Sequence, residues 1–322
     1  MELLTPESPA ATAQVASGFG RAHAKAILLG EHAVLYGSPA LAIPVPLLTV
    51  TARAARYAEA GPPSFLVRSS AGIVPHHSPG LLRIAGILAD DSRGRVEVLL
   101  QSEIPAGRGL GSSAACARAV VLALADLAGR EFGQSEVYEL VQVAENIAHG
   151  RASGVDAITT GASGPLLFQN GAARAVRLGF DGYFVIADSG VPGHTEEAVR
   201  LVAKTFAERP GRRERFVNTV TGLIRSSTAD VTDVGRFGES MIECHKALRE
   251  LELSTPVLDS MADAAMSAGA AGAKLSGSGL GGCLIALAGT AEIALAVSRS
   301  LCDAGALRTW TVPVGRFSSR ER

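Results

Sequence analysis

Three glycines at alternate positions followed by two serines make Ile104-Pro-Ala-Gly-Arg-Gly-Leu-Gly-Ser-Ser-Ala-Ala115 the strongest chemical signal in the chain. An expected strand over Val96 to Gln101 runs into Gly107, Gly109 and Gly111, and an expected helix over Ser112 to Ala128 leaves the loop. Glycine lets successive backbone N–H groups turn inward around an anion, and the N-terminus of a helix adds partial positive charge there. Hydroxyls at Ser112 and Ser113 could bond phosphate oxygens or a magnesium ion. The loop is not a Walker A loop, because no Gly-Lys-Ser/Thr follows, and it lacks the Gly-x-Gly-x-x-Gly of a dinucleotide site. A glycine-rich turn capped by serine is the plain structural alternative.

A second segment, Glu145-Asn-Ile-Ala-His-Gly-Arg-Ala-Ser-Gly-Val-Asp156, ends a helix and presents a carboxylate. Glu145 and His149 share a helix face. Glu145 could hold Mg²⁺, which takes one or two protein oxygens besides nucleotide phosphates. Asp156 could accept or orient the proton of an attacking hydroxyl; equally it could be the N-cap of a helix from Ala157, with Glu145 on the surface. A third segment, Lys274-Leu-Ser-Gly-Ser-Gly-Leu-Gly-Gly-Cys283, has four glycines in six residues ahead of an apolar strand. That pattern brings backbone close to a ligand or to another loop, or makes a tight turn. In a fourth, Arg21 to Gly37, alternation over Ala24 to Leu29 reads as a strand edge with Gly30-Glu31-His32 as its exposed end. Lys25 there is either exposed or matched with an anion, since an unpaired buried ammonium is costly. His32 taken alone reads more readily as a structural histidine than as a site residue.

The elements that must hold these residues alternate irregularly, which favours an α+β class over a doubly wound parallel sheet. Further strands are expected at Leu47 to Ala52, Tyr183 to Ala187 and Cys283 to Leu287. Helices are expected at Glu136 to His149, Glu196 to Ala207, Ser240 to Leu251, Pro256 to Ala268 and Ala291 to Ala304. With 322 residues, 47% apolar and 19% charged, the chain can build one large or two medium cores. Its 36 glycines and 5% aromatics point to close backbone packing. Thirty basic and 31 acidic residues leave a formal charge of −1, which offers no groove for nucleic acid and no patch for an anionic membrane. The run from Arg212 to Arg215 reads as a solvated helix face. Four cysteines without a CxxC pair fit reduced thiols and a cytoplasmic protein. The first sixteen residues lack Lys and Arg, against a secretory signal, and the best apolar run, Val120 to Leu127, is too short to span a bilayer.

Taken in order, these four segments resemble the GHMP kinase superfamily over roughly residues 20 to 290, and Lys25 to Gly37 is most similar to its mevalonate kinase branch. Asp188-Ser-Gly-Val-Pro-Gly-His-Thr-Glu-Glu-Ala-Val199 is similar to the segment around a substrate-facing threonine in that branch, here Thr195. The resemblance implies a two-domain GHMP kinase fold. Its N-terminal domain would be ribosomal-protein-S5-domain-2-like, α/β with a left-handed βαβ crossover, and its C-terminal domain ferredoxin-like. The corresponding division is a flexible tail over 1–18, an N-terminal domain over 19–178 and a C-terminal domain over 179–322.

The resemblance also implies chemistry: ATP would phosphorylate the C5 hydroxyl of mevalonate to 5-phosphomevalonate, in the mevalonate pathway to isoprenoids. Gly107, Arg108, Gly109, Leu110, Gly111, Ser112 and Ser113 would wrap the triphosphate, with Ser102 a further nucleotide contact. Ser113 and Glu145 would ligate Mg²⁺. Asp156 would be the base, and Lys25 would pair with it and lower the pKa of the acceptor hydroxyl. His32 and Thr195, with Lys25 and Asp156, would hold mevalonate. A homodimer is compatible with it, and neither nucleic acid nor membrane is a partner. The chain departs from the family pattern at Arg151-Ala152, where Asn-Pro is frequent, at Leu280 for glycine and at Cys116 for an aromatic residue. A phosphomevalonate or sugar kinase of the same superfamily, and a relative that binds nucleotide without catalysis, are the alternatives.

Overall fold

The computed structural model describes residues 14–69, 72–89, 94–150, 152–209, 211–228 and 233–317. Arg151 and most of the expected tail lie outside them. Close contacts group the chain into two compact units that interleave along the sequence: residues up to Arg21, Val50–Ser102 and Cys116–Ala148 in one, Ala22–Thr49, Glu103–Ala115 and His149 onward in the other. This grouping differs from a simple division near residue 178. The reason is covalent: two long strands, β1 (Gln14–Leu29) and β2 (Ala40–Tyr57), contribute residues to both. Because β1 starts at Gln14, residues 14–18 are strand rather than tail.

In the first unit, β3 (Ser64–Ser69) pairs antiparallel with β4 (Gly72–Pro75) and parallel with β5 (Val96–Ser102). A parallel pair needs a crossover, and the chain between them holds α1 (Pro79–Leu88), capped by the Ser78 side chain. The later half of β2 pairs antiparallel with β5. Most of α2 (Ser112–Leu127) and α3 (Gln134–His149) also belong here. The alanine content of α2 has a direct cause. The start of β1 lies on it backbone to backbone, so that a Cβ added at Gly20 would stand 2.0 Å from the Ala119 carbonyl oxygen.

In the second unit, the earlier half of β2 pairs with β6 (Leu166–Gln169). β6 turns at Asn170-Gly171, both with positive φ, into β7 (Ala172–Ala175). A short helix α4 (Val155–Thr159) precedes this hairpin. The remainder is a four-stranded antiparallel sheet in the order β11-β8-β10-β9, built from β8 (Tyr183–Asp188), β9 (Gly272–Ser276), β10 (Cys283–Ala288) and β11 (Arg308–Pro313). Its order, with helices between the first and second and the third and fourth strands, is the ferredoxin-like arrangement that the sequence implied. The helices are α5 (Thr195–Glu208), α6 (Arg212–Thr228), α7 (Val234–Glu250), α8 (Pro256–Ser267) and α9 (Ala291–Asp303). Phe237 of α7 seats between Phe180 and Phe184, at 5.1 and 6.3 Å between ring centroids. Among the described residues no helix is long and apolar enough to cross a membrane.

Helix α7 also locks β9 through a neutral histidine. The Leu275 N–H donates to His245 Nδ1 at 3.3 Å, so Nδ1 must stay unprotonated. Burial first, then the Lys274 charge, push this imidazole down to about 4, with Asp259 opposing. Between the ordinary value of 6.5 and about 4, the unfolded chain binds a proton that the folded one refuses, so stability falls as pH drops through that window. His245→Gln should flatten the dependence of the urea midpoint on pH between 7 and 4; an unchanged slope would contradict this assignment. In the first unit, Gly20→Ala should lower stability by about 1–3 kcal/mol through overpacking. Gly86→Ala, in α1 with nothing within 4 Å of the new Cβ, should raise it by about 0.5–1 kcal/mol. Chemical denaturation of the two variants checks both signs.

Candidate active site

Lys25 is 2% exposed and its Nζ lies 2.8 Å from Asp156 Oδ1, the Asp156 side chain being 34% exposed. The pair has one partner sealed and the other reachable from solvent. Its placement follows from local structure. Lys25 is carried by the buried end of β1, and its N–H donates to the Leu110 carbonyl at 3.0 Å. Asp156 stands in the first turn of α4, whose N-cap is Gly154 in a left-handed conformation. Asp156 is therefore not the cap itself, and its carboxylate is turned to Lys25 rather than to backbone N–H groups.

The glycine loop covers this pair. Gly111 has φ +72, and a Cβ there would stand 2.9 Å from Lys25 Cγ and 3.4 Å from Thr160 Cγ2. Only glycine lets the loop lie on the lysine stem. Gly111 also accepts the first helical hydrogen bond of α2, from Ala115 N. Ser112 is half-buried and Ser113 exposed at the start of that helix, where unpaired N–H groups and the helix dipole favour an anion. Arg108 behaves differently from its neighbours: its Nε meets Asp188 Oδ1 at 3.1 Å, at the end of β8. That side chain ties the loop to the segment leading to Thr195, and the Gly193 N–H donates to the Gly107 carbonyl at 2.8 Å.

The segment Gly30-Glu31-His32 corrects the expectation of an exposed strand end, and all of Ala24 to Leu29 except Lys25 is apolar and buried on both faces. Glu31 is 2% and His32 6% exposed, because Glu31 forms an ion pair with Lys274 of β9, itself fully buried. Burial pushes the Glu31 carboxyl up, and the Lys274 charge opposes it. His32 adopts φ 57, and its Nε2 lies 2.8 Å from the Ser278 carbonyl. A carbonyl only accepts, so Nε2 carries the proton; burial holds the ring's pKa below the usual histidine value, against the Ser278 bond. The exposed Thr195 Oγ1 donates to Ser278 Oγ at 3.2 Å. Ser276 Oγ joins β9 to β1 by bonding Ile27 N and O, each at 3.1 Å.

Lys25, His32, Asp156, Thr195 and the loop from Gly107 to Ser113 thus fall in one compact unit. Glu145 belongs to the other and is 4% exposed rather than on the surface. Its charge is felt by Cys116, whose thiol is pushed up to about 11 by burial first and Glu145 second. Cys116 stands three residues after Ser113 on α2. Ser102 is exposed at the end of β5. Leu280, where the family favours glycine, has φ 57, and its N–H donates to the Leu253 carbonyl. Sequence reasoning did not join Glu31 to Lys274, nor single out Asp188 or Ser278. The cost of an unpaired buried ammonium was the available signal for Lys274 as well, and it was applied to Lys25 alone.

Comparison with known proteins narrows the reading. The GHMP kinases N terminal domain matches residues 81–164, and the GHMP kinases C terminal domain matches residues 224–307. Mevalonate kinase of Pyrococcus horikoshii is 32% identical over 295 residues, covering 83% of this chain and 87% of that protein. Mevalonate kinase of Methanothermobacter thermautotrophicus is 34% identical over 272 residues, covering 82% and 88%. The crystal structure of L. major mevalonate kinase in complex with R-mevalonate superposes with a TM-score of 0.79 at 24% identity, over 94% of this chain and 98% of that one. At that identity the last likeness is one of fold.

Proposed function

We propose that this chain, which belongs to the mevalonate kinase family of the GHMP kinases, transfers the γ-phosphoryl group of ATP to the C5 hydroxyl of mevalonate. The observation that carries this reading is the Lys25–Asp156 pair, 2.8 Å apart, directly beneath Gly111 of the phosphate-type loop. ATP would lie with its phosphates on the loop N–H groups and the α2 N-terminus, with Ser102 contributing a further contact. Its terminal phosphoryl would then face the pair. Asp156 would orient the acceptor hydroxyl and take its proton as the new O–P bond forms and the bond to ADP breaks. Phosphoryl transfer passes through a loose transition state, so much of the effect is positioning and charge. Lys25 would supply that positive charge to the transferring oxygens while holding the Asp156 carboxylate in place. Thr195 and His32, both hydrogen-bonded to Ser278, would receive the rest of mevalonate.

The donor chemistry fits a magnesium ion: the Ser113 hydroxyl and the Glu145 carboxylate are hard oxygen ligands, and Mg²⁺ bound with ATP would neutralise phosphate charge. The free thiols support a cytoplasmic setting. A homodimer fits the same reading.

Purified protein with Mg-ATP should phosphorylate mevalonate with a higher kcat/KM than galactose, homoserine or phosphomevalonate; faster use of any of these three would overturn the assignment. Asp156→Asn should retain ATP binding and lose kcat by about 10²–10⁴-fold, read by coupled ADP release, whereas near-normal turnover would remove Asp156 from the mechanism. Glu145→Gln should shift the magnesium titration of activity to higher concentration, because an amide brings no charge to a hard cation. A curve that overlays the wild type would make Glu145 a structural residue.

A further inference from the structure

The Lys274–Glu31 pair is an expensive way to hold two strands together. Both side chains are withdrawn from solvent. Glu31 Oε2 has no hydrogen-bond partner among the described residues. Two charges so placed lose their hydration, and an apolar pair of similar volume gives equal or better stability. The pair therefore calls for a reason beyond stability, and its neighbours supply one. On one side of it, Glu31 immediately precedes His32, a non-glycine residue at φ 57. On the other, Lys274 leads along β9 into Ser276, Gly277 and Ser278. Lys274 Nζ donates to the Leu275 carbonyl as well as to Glu31, so the ammonium is held by two acceptors. The two segments then meet a second time, where His32 Nε2 donates to the Ser278 carbonyl, and Ser278 Oγ receives Thr195 Oγ1. The ion pair at one end and the His32–Ser278 bond at the other, with Ser276 bonded to Ile27 between the same segments, set the conformation of His32 and the place of Ser278, and through Ser278 that of Thr195.

We propose that Glu31 and Lys274 are positioning residues for acceptor selection: without touching the acceptor, their ion pair fixes His32 and the Ser278–Thr195 contact in the geometry that receives it. This rests on the functional reading above. The glycine loop keeps an anchor outside this ring, the Lys25 N–H to the Leu110 carbonyl, so breaking the pair displaces His32 and Ser278 first. Directional contacts of this kind are lost with a displacement of about 1 Å, which costs on the order of 10²-fold in rate.

The test is the double variant Glu31→Leu with Lys274→Met, compared with wild type for thermal midpoint, KM for ATP and KM for mevalonate. The apolar pair should fold with a midpoint close to wild type. Its KM for mevalonate should rise about tenfold or more while KM for ATP stays within about twofold. A well-folded double variant with both constants unchanged would make the pair purely structural and overturn the proposal. So would a parallel rise in both constants, which would mean general disorder of the loops. If the double variant does not fold, Glu31→Gln, of the same shape, decides on the same two constants. Failure of wild-type protein to phosphorylate mevalonate at all would sink the functional reading itself, a result separate from either outcome.

Discussion

Backbone-to-backbone contact between loops is the constraint from which the site follows. A Cβ at Gly109 would stand 2.9 Å from the Ser276 carbonyl oxygen, and one at Gly277 would stand 2.9 Å from Gly109 Cα. The glycine loop around Gly109 and the loop that follows β9 therefore share one surface with no side chain between them. This explains a composition rich in glycine and poor in aromatics: large side chains would push apart elements whose function depends on their touching. It also explains how residues 25, 108, 156, 188 and 276, remote in sequence, come to bear on one place.

Two buried lysines share that place and have opposite surroundings. Lys25 is sealed, but its partner Asp156 is one-third exposed, so the carboxylate of the pair is open to solvent. Lys274 and Glu31 are closed on both sides, which removes them from chemistry and leaves them fit only to fix geometry. The arginine follows the same logic. Arg108 belongs to the glycine loop by sequence, yet Asp188 draws its guanidinium to the end of β8. This ion pair and the Gly193–Gly107 bond together join the glycine loop to the segment carrying Thr195.

Much of this was legible in the sequence because it is local. Helical periodicity placed α2, α3, α5, α8 and α9 to within about two residues, and Gly129, Gly150 and Gly269, which follow three of these helices in the sequence, all have positive φ. What was not legible depends on distant partners. The pairing of Glu31 with Lys274 spans 243 residues, and nothing near either residue encodes it. Glu31 and His32 look like surface residues until that partner is known. Helix α1 escaped notice because its ten residues mix exposed Leu82 and Ile87 with buried Leu81 and Ile84, blurring the helical period. Helix α6 was noticed only as the charge run at its start. Leu280 shows the reverse case, a departure from glycine whose φ of 57 explains why glycine is frequent there.

If the Lys25–Asp156 pair directs the phosphoryl group of ATP onto one primary hydroxyl, phosphorus NMR of the product formed from mevalonate and Mg-ATP should show it. ADP should appear with, in equal amount, a phosphate monoester whose phosphorus couples to the two protons of a single CH₂ group. ADP accompanied only by inorganic phosphate, or a phosphorus with no such coupling, would contradict it.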